Sequence, residues 1–438
     1  MEKALSAILP KDALLLEPKT IEFSIEGHRP QLVALPKSPE EVSAILRIAH
    51  ERGAPITPSG ANTLQSMGAP PMAPLFVLSL SRMRNMLAHE PSDLTCSAQA
   101  GITLDSLHHQ IGKHNQMLPI DAPLQERATI GGLIATNTSG PRRQGFGTFR
   151  DCLIGIQVVH ADGMISKSGG MVVKNVSGYD LCKLYTGSLG TLALITSANF
   201  KLWPKPQAQR SLLAHFKSLQ KAIDLANTIL GSQQRPTAIE LISPGAAYRI
   251  ALEPKSYVLA IRCEGTEALL SRMQKDLSSW ASDEGAQHIG VLEGEAMQSF
   301  WRRVADFSQV AELGEREALI KIAALPSDLP AVVNSIDNAC ISLHLQSEYI
   351  AHAGLGIAIA RVSATESIPF TFAHALSLAH AEWLKRWNNA IVLGTRPGHK
   401  QGLALWGAEP PGLKQMRAIK NQYDPKGILN RGRFVGGI

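Results

Sequence analysis

Three stretches in the first half of the chain gather small and polar residues at a density that ordinary turns do not need. The first is ITPSGANTLQS, residues 56–66. A tight turn uses two or three such residues. A loop that offers its own N–H groups to phosphate oxygens uses more, because bulky side chains block the approach. Taken alone, this loop reads equally well as a surface turn. The second stretch, ATIGGLIATNTSGPRRQGFGTFRD (128–151), sets Gly131, Gly132, Gly140, Gly145 and Gly147 among threonines, Asn137 and Ser139. Small residues there let the backbone approach a flat ring or a pyrophosphate, and the hydroxyls and amides supply hydrogen bonds. The third, SGGMVVKNVSGYDLCKLYTGSLGTLALIT (168–196), runs a glycine-rich turn, a short helix and GSLGT into a strand. Each alone fits tight turns of a β-rich domain; together they point to a large nucleotide cofactor.

The common nucleotide loops are absent. Gly112–Lys113 is followed by His114 and has Leu107 where a P-loop needs glycine. HAGLGIAI carries Gly354 and Gly356 but Ile359 in place of the third dinucleotide-fold glycine. His344, Glu348 and His352 are spaced like a metal-binding helix face. SLHLQSEYI alternates like a strand, however, which separates them by roughly 13 Å at each four-residue step, so no metal site is expected. His352 reads as an interior residue, and HHQIGKH (108–114), His374 and His380 as helix-surface histidines. Arg396, His399 and His352 are the weak catalytic candidates. Arg396, His399 and Arg433 can each meet a substrate carboxylate, against the alternative of a solvated loop charge. Tyr179 and Asp180 read as support for the third glycine-rich turn.

The elements that would position these loops are legible in the pattern. QLVALPKSPEEVSAILRIAHERG (31–53) predicts a short strand and a helix with Ser38 as N-cap, Pro39 in the first turn and Gly53 at the end. Val42, Ile45, Leu46 and Ala49 form its apolar stripe. API then leads into the first loop. FVLSLSRM, LTCSAQAGITL, LIGIQVVHADG with a hairpin return, and LALITSANFKLWPKP read as strands; DSLHHQIGKHNQ and LKQMRAIKNQY read as helices. WPKPQAQ marks a boundary. Beyond it the chain alternates helical and strand-like segments without glycine-rich loops, as an α+β module does. The expected domains are 1–207, 208–394 and a returning segment, 395–438.

With 438 residues, the chain is long enough for two or three domains. The hydrophobic share of 45% supports a sizeable core and argues against disorder. The net charge of +6 favours anionic partners, but the basic residues are scattered, so no nucleic-acid footprint is expected. Cys96, Cys152, Cys182, Cys263 and Cys340 lie far apart without a CxxC pair. They therefore supply neither a zinc ribbon nor an iron–sulfur cluster, and they read as reduced thiols of a cytosolic protein. No signal peptide is expected from the N-terminus, which Pro10 and Lys11 interrupt, and no apolar run approaches the roughly 20 residues of a spanning helix.

TIGGLIATNTSGPRR, RDCLIGIQVVHADG, GGMVVKNVSGYDLCKLYTGSLGTLALIT and YDPKGILNRGRF, in this order, resemble the FAD-linked oxidases of the vanillyl-alcohol oxidase/p-cresol methylhydroxylase superfamily. Within it, KNVSGYDL and WGAEPP…DPKGILNRGRF look most like the FAD-binding subunits of bacterial glycolate oxidases. The resemblance covers about residues 30–205 and 395–438. It implies an α+β fold: a two-part FAD-binding domain of the p-cresol methylhydroxylase type with an α+β cap. It also implies that Pro58, Ser59, Gly60, Ala61, Asn62 and Thr63 form the pyrophosphate loop. Thr129, Ile130, Gly131 and Gly132, with Ala135, Thr136 and Asn137, would line the ring and ribityl chain. Gly140 and Asp151 would belong to adjacent turns, and Gly187, Ser188, Gly190, Thr191 and Ile195 would border the adenine end. Some relatives attach the flavin through a histidine of the first loop. None lies between His50 and His89, so non-covalent FAD is expected.

Relatives that oxidise 2-hydroxy acids carry an HxGDGNxH-like metal segment, and here Ile359 stands where its second histidine would be. The implied activity is thus oxidation of a small 2-hydroxy acid as one component of a complex, beside a second flavoprotein subunit and an iron–sulfur subunit. The complex would be cytoplasmic and would meet the inner membrane only through partners. The alternatives are a self-sufficient FAD-dependent 2-hydroxy-acid dehydrogenase and a non-redox scaffold that has lost FAD.

Overall fold

The computed structural model describes residues 1–72, 75–172, 178–252, 256–364 and 371–438; the KNVS part of KNVSGYDL, 174–177, lies outside the described residues. The chain divides into two compact units, Met1–Ser139 with Thr148–Lys205 and Glu409–Ile438, and Gly140–Gly147 with Pro206–Ala408.

The first unit holds two main sheets. Strands β1 (Leu14–Leu16), β2 (Leu32–Ala34), β3 (Thr57–Ser59) and β4 (Phe76–Ser79) align in the order β1-β2-β4-β3. β4 runs parallel to both β2 and β3. The helix Pro39–Arg52 makes the crossover from β2 to β3. Ser38 Oγ accepts the Glu41 N–H at 3.2 Å, Pro39 occupies the first turn, and Gly53 closes the helix at φ +61°. Its stripe of Val42, Ile45, Leu46 and Ala49 is fully buried. Such a crossover leaves the loop after β3 at the carboxyl end of a parallel strand, where open α/β sheets bind ligands.

The second sheet is antiparallel, ordered β5-β6-β10-β8-β9. Its strands are β5 (Met86–Glu90), β6 (Thr95–Gln99), β8 (Leu153–Val159), β9 (Ile165–Gly169) and β10 (Leu194–Lys201). The short strands β7 (Gln116–Met117) and β11 (Trp203–Pro204) pair with each other. One apolar core joins both main sheets and takes in Ile428 and Leu429 of the C-terminal segment.

The second unit is built on one antiparallel sheet, ordered β15-β12-β14-β13-β17-β18-β16-β19. Its strands are β12 (Ala208–Phe216), β13 (Ala238–Ile242), β14 (Tyr257–Gly265), β15 (His288–Leu292), β16 (Glu317–Ala323), β17 (Leu345–His352), β18 (Ile357–Ala364) and β19 (Ile391–Thr395). Helices Leu219–Gly231, Glu267–Asp283, Leu329–Ser342 and Phe372–Leu384 cover one face around a large apolar cluster. The opposite face carries a smaller cluster under Pro244–Arg249 and Gly294–Asp306.

Two segments fall outside the boundaries expected from the sequence. Residues 395–408 group with the second unit: the Val392 N–H donates to Leu405 O at 2.9 Å and the Ala408 N–H to Asn388 O at 2.7 Å, folding this stretch back on β19. Gly140–Gly147 also groups there. The Gly145 N–H donates to Thr237 O, and Arg142 bridges to Glu264 at 2.8 Å.

Candidate functional site

The first unit contains a recess with about 770 Å³ of empty space, part of it open to solvent. Pro58, Ser59, Gly60, Ala61, Asn62 and Thr63 line it, together with Thr129, Gly131, Gly132, Ala135, Thr136, Gly190 and Ile195. The three glycine-rich stretches, separated in sequence, thus meet at one cavity.

The loop after β3 is held by its own side chains. Ser59 Oγ donates to Asn62 Oδ1, and Asn62 takes a left-handed backbone at φ +58°. Gln65 Nε2 donates to Pro58 O at 2.9 Å. With the side chains occupied in this way, the backbone is left bare. Among the described residues, the N–H groups of Gly60, Ala61, Asn62, Thr63 and Leu64 donate to no protein acceptor. Five consecutive bare donors beside a cavity are backbone groups that an anion can satisfy. Gly60 has no room for a side chain: a Cβ there would lie 2.0 Å from Thr129 Oγ1.

Opposite the loop, the helix Ile130–Thr136 presents Gly131, Gly132, Ala135 and Thr136, while Ile130 points into the core. Asn137 ends this helix at φ +49°. Its Oδ1 and Ser139 Oγ are buried without a protein partner. Buried polar atoms are rarely left so, and a ligand is one explanation of the exceptions.

The turn Gly187–Thr191 is fixed from two sides. The Leu189 N–H donates to Ala135 O at 2.7 Å, and Leu189 O accepts Asn430 Nδ2 at 2.6 Å. Ser188 and Thr191 spend their hydroxyls inside the turn, on Tyr185 O and Ser188 O. Beneath it, buried Lys420 donates to Thr191 O (2.8 Å), Leu429 O (3.0 Å) and Asp424 Oδ2 (2.6 Å). Burial lowers the Lys420 ammonium pKa against the opposing pull of Asp424. Asp424 also accepts the Ile428 and Leu429 N–H groups. The DPKGILN run is therefore the clamp that seats this turn.

Arg433 is not free for a substrate carboxylate. It is 2% exposed and donates to Ala69 O, Gln65 Oε1, Gln65 O and Met67 O. Burial brings its pKa down to about 10. Arg433 and Asn430 line the recess, as do Leu64, Gln65, Met67, Leu80, Ala100, Leu189, Ala193 and Leu194, none of which the sequence singled out as cofactor-binding.

Several expected residues lie elsewhere. Exposed Asp151 accepts the Thr148 N–H and hydroxyl in a capping box. Gly140 groups with the second unit. Asp180 caps the helix Leu181–Tyr185, and Tyr179 is 92% exposed. Arg396 is exposed. His399 is edge-on to Phe372, its pKa lowered by burial and then by Arg396. His380, read as a surface residue, is buried with Nε2 against Ala390 O at 2.8 Å.

His352 lies on β17 and is 4% exposed, with Nδ1 2.7 Å from Glu240 Oε1 of β13. Glu348, four residues back on the same strand, is instead engaged by Arg249. Lys321 of β16 shares the face of Glu240 and His352, as the register Glu240↔His352↔Ile357↔Ala323 shows. Its ammonium has no partner among the described residues. Burial, then Arg143, brings its pKa down to about 8.

Residues 30–169 match the FAD binding domain family, and residues 205–377 and 400–434 match the C-terminal domain of FAD linked oxidases. The chain is 28% identical over 424 residues to the glycolate oxidase subunit GlcD of Bacillus subtilis (strain 168), covering 92% of this chain and 89% of that one. It is 27% identical to the D-lactate dehydrogenase of Archaeoglobus fulgidus, covering 99% and 98%. Among solved structures, p-cresol methylhydroxylase with substrate bound superposes with a TM-score of 0.77 at 16% identity, over 98% of this chain and 95% of that one. That likeness concerns the fold.

Proposed function

Because this chain belongs to the FAD-linked oxidases, carrying both their FAD binding domain and their C-terminal domain, we propose that it is an FAD-dependent oxidoreductase component acting on a small 2-hydroxy acid. The observation that carries the reading is the run of five bare N–H groups, Gly60 to Leu64, at the recess. They would hold the FAD pyrophosphate, while Gly131, Gly132, Ala135 and Thr136 would lie against the rest of the cofactor. Among the described residues no histidine, cysteine or tyrosine lines the recess, which supports non-covalent attachment. When bound, FAD supplies the electron-pair acceptor for oxidation at an alcohol carbon.

The relatives named for glycolate and D-lactate support the substrate class. Lys321, whose ammonium has no partner among the described residues, would suit a substrate carboxylate. The subunit name of the Bacillus relative supports work inside a glycolate-oxidase-type complex. The five cysteines are free and buried, with burial pushing the thiols of Cys96, Cys152, Cys263 and Cys340 up to about 12. Buried and far apart in sequence, they read as structural thiols rather than as the ligand set of an iron–sulfur cluster. Onward electron transfer would then fall to a second flavoprotein and an iron–sulfur subunit, in the cytoplasm or at the inner membrane through those partners. No described helix is long and apolar enough to cross a membrane.

The test is an anaerobic spectrum of the FAD-loaded chain, and of the complex it co-purifies with, before and after glycolate or D-lactate. Bleaching in either supports the reading. A flavin that dithionite reduces but neither acid reduces, in chain and complex alike, overturns the substrate assignment.

A further inference from the structure

The sheet face that carries Lys321 also carries a buried acid–imidazole pair with unspent hydrogen-bonding capacity. His352 Nδ1 lies 2.7 Å from Glu240 Oε1, and the side chains are 5% and 1% exposed. His352 Nε2 and Glu240 Oε2 are both buried with no partner. Gln144 lies just beyond: a Cβ on Gly354, two residues after His352, would be 2.5 Å from Gln144 Oε1, which is itself unpartnered and buried. Three unsatisfied polar atoms therefore sit at the turn joining β17 to β18. Native interiors seldom leave such groups unmet.

The chemistry of the pair specifies what it can take. A carboxylate oxygen accepts the Nδ1 hydrogen, and this fixes both the ring plane and the tautomer. In the neutral ring, Nε2 then carries a bare lone pair. That nitrogen accepts a hydrogen bond; it does not offer one. A ligand group that donates, such as a hydroxyl, matches it, whereas a carboxylate oxygen does not. Lys321, two strands away on the same face and one alternate residue along, offers the opposite preference: an ammonium for an anion.

We infer that His352 Nε2, oriented by Glu240, is the acceptor for the hydroxyl of a 2-hydroxy acid, with Glu240 as a positioning residue. This rests on the substrate class proposed above and adds to it the group that recognises the hydroxyl. The residues involved all belong to the second unit.

The test is nitrogen NMR of the FAD-loaded chain labelled with ¹⁵N-histidine, with the His352 signals assigned through His352→Gln. D-lactate and glycolate are the probes, and propionate and acetate are the matched acids without a hydroxyl. The free protein is expected to show hydrogen on Nδ1 and none on Nε2. The Nε2 signal should move with the hydroxy acids and stay in place with their controls. Glu240→Leu should mix the tautomers, and Glu240→Gln, which keeps the shape and one acceptor oxygen, should preserve the Nδ1 form in part. D-lactate should bind His352→Gln at least tenfold more weakly.

Hydrogen on Nε2 in the free wild-type protein would overturn the inference without any ligand. A hydroxy acid that perturbs the flavin spectrum yet leaves Nε2 unmoved would overturn it while sparing the substrate class. Absence of both responses to both acids, in chain and complex, would remove the substrate class and this inference together.

Discussion

Replacing Lys321 by methionine should make the protein more stable, and the size of the gain follows from where the lysine sits. Lys321 is half-buried, and its ammonium has no carboxylate or other acceptor among the described residues. Its pKa falls from the ordinary 10.5 to about 8, through burial first and the positive charge of Arg143 second. Between those two values the unfolded chain binds a proton that the folded chain does not, so stability rises with pH across that window. Below about pH 8 the folded protein bears the full cost of the charge. A shift of that size corresponds to about 3 kcal/mol. Methionine keeps most of the buried stem and removes the charge.

At pH 7, Lys321→Met is therefore expected to gain up to about 3 kcal/mol. For a unit of this size each kcal/mol moves the melting temperature by roughly 2–4 °C. Calorimetric melts at pH 7, 8, 9 and 10 should show the difference between variant and wild type shrinking as pH rises, and vanishing near 10.5. D-lactate should raise the melting temperature of the wild type and not of the variant, because the carboxylate supplies the missing counter-charge. A variant that is less stable at pH 7, or one whose gain does not change with pH, would show that the Lys321 charge is not a net cost to the fold.

Two further outcomes are expected. Gly60→Ala drives its Cβ into Thr129, which is 4% exposed and β-branched. FAD affinity, measured by flavin fluorescence on reconstitution, should fall about tenfold, in line with the roughly 1–3 kcal/mol cost of overpacking; Thr129→Ala in the same chain should recover part of it. Asp424→Ala strands the Lys420 ammonium on two carbonyls and leaves the Ile428 and Leu429 N–H groups bare. Urea unfolding should show a loss of about 3–5 kcal/mol, the usual consequence of breaking a buried pair from one side.

What the sequence made legible was what backbone geometry demands. The helix Pro39–Arg52 could be read residue by residue because caps and an apolar stripe are local signals. The loop Pro58–Thr63 and the residues Thr129, Gly131, Gly132, Ala135 and Thr136 stood out because small side chains leave backbone open, and all of them line the recess. Leu80, Ala100, Ala193 and Leu194 were not legible as recess residues, since they are indistinguishable in type from core residues that never meet a ligand. Asp151 and Thr191 are polar residues in glycine-rich motifs, and only the fold shows that their side chains are spent on local hydrogen bonds. The C-terminal motif was conspicuous, but the reason for its charges was not. Arg433 and Lys420 hold carbonyls on segments hundreds of residues away in sequence. Residues 140–147 lie within a glycine-rich run, yet their partners are Thr237 and Glu264, which no local pattern announces.

A recess after β3 that holds FAD without a covalent bond, against the bare N–H groups of Gly60 to Leu64, would take up the cofactor when folded and release it when unfolded. The most direct test is the absorption spectrum of the purified chain, reconstituted with FAD where needed, followed by heat denaturation and centrifugation. The folded protein is expected to give a flavin spectrum, and FAD is expected in the supernatant afterwards. A protein that takes up no FAD even on reconstitution, or that keeps its flavin in the denatured pellet, would contradict non-covalent FAD binding here.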